Sequence, residues 1–188
     1  MTEKQIKALQ RHVGTLDDGD WGPKSRKACE AHLRRLMPNS SPWPKSHQSS
    51  LRSFYGAPDD NSQIIRVEAP EWMKLYNSDK NLKNIWVHEK CADSLMRALE
   101  SAHSKSPKFA SKYFGCHVDR NMRGGSKPST HAYGAAIDLS ASTNRNKQSW
   151  PQDADMPIEV MEEFSKEGWV AAGAFWGSDA MHFQATQI

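Results

Sequence analysis

Residues 128–139 read PSTHAYGAAIDL, and His131, Gly134 and Asp138 stand out from an otherwise small-residue run. Seven extended residues would separate His131 from Asp138 by roughly 23 Å, whereas two ligands of one metal bring their donor atoms within about 3 to 4 Å. If the two act together, the chain must fold back between them. Gly134 supplies the conformational freedom for that reversal, and Ala132, Ala135 and Ala136 remove bulk beside it. In AAIDL, alternation puts Ile137 and Leu139 on one face and Asp138 on the other, as in a half-buried strand that presents a carboxylate to a cleft.

A second segment, WGSDAMHFQ, offers His182 as a further ligand, with Asp179 three residues before it. Two histidines and a carboxylate form an N/O donor set suited to zinc, with a fourth position left for water. Such a water is ionised near neutral pH, and a neighbouring carboxylate can take its proton and pass it to a leaving amine. By spacing alone, a structural role for these residues is as good a reading as metal binding. His12, His32, His47, His88 and His103 read as structural or surface histidines.

Outward from this stretch the chain is mixed. Ile6, Leu9 and Val13 form one stripe of a short helix, Asp18-Gly19 marks a turn, and Gly22-Pro23 opens a second helix over about 23–36. Residues 37–63, rich in Pro, Ser and Asn, read as a linker with local anchors at Trp43 and the FYG of 54–56. IIRVEAP and NIWVH read as extended segments, EKCADSLMRALESAHS as a helix, Ile158 to Glu167 as another, and GWVAAG and MHFQA as strands. The expectation is an α+β domain with a small antiparallel sheet flanked by helices, preceded by a small all-α unit: residues 1–37, a linker at 38–63, and the main domain at 64–188.

Composition narrows the partners. The 188 residues carry a formal net charge of +3, too small and scattered an excess to suggest nucleic acid. No apolar run approaches the roughly 20 residues of a spanning helix, so no stable membrane association is expected, and nothing calls for more than a monomer. Cys29, Cys91 and Cys116 are odd in number and lack a CxxC pair, which reads as buried or free thiols. The amino terminus, MTEKQIKALQRHV, lacks the apolar core of a secretory signal, so synthesis in the cytoplasm is expected.

Two resemblances add to this reading. IKALQ with DGDWGPKSRKAC resembles the small helical peptidoglycan-binding module, although a hairpin that merely packs on the main domain explains the same residues. STHAYGAAID resembles the S-x-H-x-x-G-x-A-x-D motif of the zinc D-Ala-D-Ala carboxypeptidase and L-alanyl-D-glutamate endopeptidase family, which includes VanY-like enzymes and many phage endolysins, and DAMHF resembles its closing (E/D)-x-x-H motif. That likeness implies the hedgehog/D-Ala-D-Ala peptidase fold and one zinc ion held by His131, Asp138 and His182. It implies Asp179 as general base and acid, at a position where many relatives carry the longer Glu. It further implies an upstream arginine on the substrate, for which Arg120 fits best and Arg123 competes, and a substrate role for Ser129, where a turn hydroxyl bonded to its own backbone is an equal reading. Trp176 reads as either core or cleft wall. The implied partner is the peptidoglycan stem peptide, cut between L-Ala and D-Glu or at a related amide, by a lysin that reaches the wall after release from the cytoplasm. A D-Ala-D-Ala carboxypeptidase, or a zinc-containing wall-binding protein without activity, are the alternatives.

Overall fold

The structure, a computed structural model, describes residues 1–58 and 60–188. Helix α1 (Glu3–Val13) starts at a reciprocal cap: the Gln5 amide N–H donates to Thr2 Oγ1 (3.3 Å), and the Thr2 N–H donates to Gln5 Oε1 (2.8 Å). It buries Ile6, Leu9 and Val13, the stripe expected from spacing, and also Gln10. The buried Gln10 amide is satisfied by the following turn, donating to Asp18 Oδ1 (2.8 Å) and the Asp20 carbonyl (2.9 Å) and accepting from the Gly19 N–H (2.8 Å). That one side chain fixes the DDGD reversal, after which Pro23 opens α2 (Pro23–Leu36), whose buried residues include Cys29 and Leu33.

The segment expected to be a linker is more structured than its composition suggests. It contains α3 (Gln48–Tyr55), with Leu51 and Tyr55 buried. Trp43 Nε1–H donates to the Glu167 carbonyl (2.9 Å), the Tyr55 hydroxyl donates to the Ala185 carbonyl (2.6 Å), and the Gln187 N–H donates to the Pro44 carbonyl (2.7 Å). Its aromatic side chains need cover and find it on the C-terminal part of the chain, which ties the strap down.

Strands β1 (Ile64–Glu68) and β3 (Asn84–His88) pair antiparallel as a two-stranded sheet, and β2 (Lys74–Leu75) lies between them in sequence. After α4 (Glu89–Lys105) and the short α5 (Pro107–Ala110) come β4 (Lys112–Gly115), β5 (Ala136–Leu139), α6 (Ile158–Lys166), β6 (Val170–Ala171), α7 (Ala172–Trp176) and β7 (His182–Gln184). The second sheet runs β2-β4-β5-β7-β6. The architecture is α+β as expected. The sheet is antiparallel except at its edge, where β2 runs parallel to β4.

GWVAAG departs from a simple strand, because only Val170–Ala171 is extended before Ala172-Gly173-Ala174 enter α7. A Cβ at Gly173 would meet the Ala180 and Met161 side chains at 2.8 Å, so the helix packs close there. In β5 the alternation is real but both faces are covered. Ile137 and Leu139 join the core with Leu95, Leu99, Phe164 and Phe183, while Asp138, only 3% exposed, faces the site. All three cysteines are free and buried.

The helical hairpin is not set apart from this core. Helices α2 and α6 pack together, Trp21 sets its edge on Trp150 (ring centroids 5.5 Å), and the Met1 ammonium donates to the Pro151 carbonyl (2.7 Å). Among the described residues no helix is long and apolar enough to cross a membrane.

Candidate metal and active site

The reversal between His131 and Asp138 is made in two steps. Residues Thr130–Tyr133 form one turn of 3-10 helix, capped by Ser129, whose Oγ accepts the His131 N–H (3.3 Å). Gly134 then takes the left-handed conformation (φ 61°) and hands the chain to β5. Two separate constraints select glycine there: the positive φ, and the absence of room, since a Cβ would lie 2.7 Å from the His88 nitrogen. The turn-capping role of Ser129 is thus the one seen directly.

The third candidate ligand arrives by register. Strands β5 and β7 pair so that Asp138 lies directly opposite His182. The result is a nearly equilateral set of donors: His131 Nε2 to Asp138 Oδ1 is 3.2 Å, His182 Nδ1 to Asp138 Oδ1 is 3.0 Å, and His131 Nε2 to His182 Nδ1 is 3.1 Å. All three side chains are buried. Tetrahedral zinc with bonds of about 2.0–2.1 Å sets its ligand atoms about 3.3 Å apart, so these residues fit the ion with almost no movement.

The outer nitrogens of both rings are fixed. His131 Nδ1–H donates to the Cys116 carbonyl (2.6 Å), and His182 Nε2–H donates to Gln184 Oε1 (3.1 Å). Each bond settles the tautomer and leaves the inward nitrogen with its lone pair. Gln184 is held in turn by Thr130 Oγ1 (3.2 Å) and Thr186 Oγ1 (2.6 Å). The sequence reading did not assign Gln184 a part. The available signal was the period of two in HFQ, which puts residues 182 and 184 on one face.

The electrostatics favour a cation. Burial pushes the Asp138 carboxyl up, but when the two rings carry an inward proton in place of a metal, the hydrogen bonds and charge of His131 and His182 outweigh it and hold the group well below the usual carboxylate range. His182 is the converse case: burial opposes its protonation, yet Asp138 and then Asp179 raise its affinity for positive charge.

Asp179 sits in the turn that leads into β7, where its carbonyl accepts the His182 N–H (2.9 Å). It adopts a left-handed φ of 60°, and among the described residues its Oδ1 is a buried carboxylate oxygen with no hydrogen-bond partner. A buried acceptor left unpaired at a strained position is a costly arrangement that packing alone does not call for. Burial, opposed by His182 and reinforced by Asp138, raises the Asp179 carboxyl above its ordinary value.

These groups open into one cleft of about 680 Å³. Arg120, Arg123, Ser129, Trp176 and Asp179 all line it together with His131, Asp138 and His182, so every residue singled out in the sequence reaches the same space. Arg123 stands on the loop that folds back between Asn121 and Pro128 and Arg120 immediately precedes it, and among the described residues neither is engaged in an ion pair. Lys127 adds a third cation to that wall. Trp176, half exposed, stacks on His182 (centroids 5.6 Å, planes 28° apart) and is therefore cleft wall and not core.

Residues 123–185 match the family model described as D-alanyl-D-alanine carboxypeptidase, a span that holds all three candidate ligands and Asp179. The match spans about a third of the chain, and over that span the chain is similar to that family. The likeness supports a peptidoglycan-related peptidase in the broad sense, and it leaves Arg120 and the amino-terminal helices outside the matched span. No curated protein and no solved structure matches the chain.

Proposed function

We propose that the protein is a zinc-dependent peptidoglycan hydrolase that cuts an amide bond of the stem peptide, with His131, Asp138 and His182 holding one zinc ion and Asp179 moving the proton. The observation that carries this reading is the near-equilateral donor set beside a buried, unpartnered aspartate oxygen at the floor of one cleft.

Zinc held there supplies Lewis acidity, which polarises a carbonyl and lowers the pKa of water to about 7. The protein's own residues do the rest. Asp179, made more basic by burial, accepts the proton of the attacking water and delivers it to the departing amine. The strand pairing and the turn from Asp179 to His182 hold that carboxylate at a fixed offset from the ligands. Arg120 and Arg123 supply guanidinium groups for a substrate carboxylate, which a stem peptide carries at D-Glu and at its free carboxyl end. Trp176 walls the cleft beside His182 and keeps water from that side.

Within this class we favour cleavage between L-Ala and D-Glu over trimming of a terminal D-Ala, and a setting as a phage or prophage lysin. The ground for this preference is that a lysin must break the wall network, which cutting at that bond does and trimming a terminal D-Ala does not. Mass analysis of fragments from digested peptidoglycan tests the bond: new D-Glu amino termini support the endopeptidase, whereas release of free D-Ala alone supports the carboxypeptidase.

A further inference from the structure

A second set of metal-type donors lies outside the cleft, where three helices meet. His12 stands in the last turn of α1, His32 near the end of α2 and Glu162 on α6. Both histidine Nε2 atoms converge on the same oxygen, Glu162 Oε1, at 2.6 Å each, and the two rings meet edge to face with centroids 5.1 Å apart. One donor atom from each residue lies within 4.8 Å of the others. His32 and Glu162 are largely covered, while His12 is 43% exposed and leaves a path from solvent.

We propose that His12, His32 and Glu162 form a second zinc site, which staples the amino-terminal helical hairpin to the peptidase domain. Two imidazole nitrogens and one carboxylate are a known zinc donor set, and three protein ligands leave the fourth position to water on the exposed side. With both imidazoles neutral, the three side chains carry a single negative charge in a partly buried helix junction, and a divalent cation reverses that charge. Each histidine nitrogen stands about 0.7 Å closer to the Glu162 oxygen than two zinc ligands stand to each other, so binding asks both contacts to lengthen slightly. The exposed His12 side chain has room to make that adjustment. Cys29, one turn before His32 on the same helix, is no competitor as ligand: burial pushes its thiol up to about 12, so it stays protonated.

The rival explanation for the 2.6 Å contacts is a purely hydrogen-bonded cluster, in which both Nε2–H groups donate to Glu162. Metal content separates the two. The full-length protein is loaded with zinc, freed of excess by gel filtration, and its metal counted per folded chain. The staple predicts about two ions for the parent, about one for His131→Ala, about one for the His12→Ala/His32→Ala pair, and none for the three combined. In the His131→Ala background, added zinc raises the unfolding midpoint, and Glu162→Gln, which keeps an oxygen acceptor for both rings, abolishes that rise. About one ion in the parent and none in His131→Ala overturns the proposal. So does a second ion that survives loss of both His12 and His32, or a zinc-induced rise that survives Glu162→Gln.

Discussion

Gln184 does for His182 what the Cys116 carbonyl does for His131: it takes the outer ring proton and turns the inner nitrogen toward Asp138. Gln184→Ala is therefore expected to weaken zinc affinity about 10- to 100-fold without unfolding the chain, measured by competition with a chelator. Loss of a ligand is more severe. His131→Ala and His182→Ala should lose the catalytic ion and hydrolysis together. Asp179→Ala should keep the ion and lose about 10²- to 10⁴-fold in turnover, and near-normal turnover in that variant removes Asp179 as the base. At Gly134, alanine must adopt a positive φ and push its Cβ against the His88 backbone, so Gly134→Ala is expected to cost about 2 to 4 kcal/mol in denaturant unfolding. At this scale much was legible. The types His, Asp and His offer a donor set suited to a metal, and Gly134 marks the reversal that brings His131 and Asp138 together. Gln184 did not announce itself, because a glutamine in a strand has no chemistry until its neighbour is known.

Helices α1, α2, α4 and α6 were readable from apolar spacing and from their Pro and Gly boundaries, because each buries a single stripe. The β5–β7 register was not, since nothing local in AAIDL or MHFQA states which residue of one strand faces which of the other. The strand reading of GWVAAG failed after two residues for a related reason: small residues fit either state, and the close approach of Ala180 and Met161 decided for helix. The junction of α1, α2 and α6 was equally hidden, as His12, His32 and Glu162 are remote in sequence, the two histidines read as ordinary structural or surface residues, and Glu162 drew no reading at all. It has a pH signature of its own in metal-free buffer. Burial would raise the Glu162 carboxyl, but hydrogen bonds from His12 and His32 outweigh it and hold the group below its ordinary value of 4.5. A depressed folded value means that Glu162 stabilises the fold fully above about pH 4.5, with the contribution lost as pH falls through the lower, folded value. Glu162→Gln should flatten that part of the acid-unfolding profile, and an unchanged profile would show that the contacts carry no net stabilisation.

As a whole molecule, the fold around the candidate site draws on more of the chain than the matched residues 123–185. Arg120 precedes that span, the strap at residues 38–63 is tied to Glu167 and Ala185, and the hairpin covers α6 and Trp150. A chain that starts at residue 38 is accordingly expected to unfold at lower temperature than the full one, because Trp150 and α6 lose apolar cover. An unchanged midpoint would mark the hairpin as an independent appendage. Composition made the strap look like a linker, since Pro and Ser are counted in a sequence whereas the partners of Trp43 and Tyr55 are not visible there. The central claim is the hydrolysis itself. Purified peptidoglycan incubated with the zinc-loaded protein, with and without chelator, should release new amino groups only when zinc is present, and mass analysis should place them on D-Glu. Fully zinc-loaded, folded protein that releases no new amino group from any permeabilised wall would contradict it.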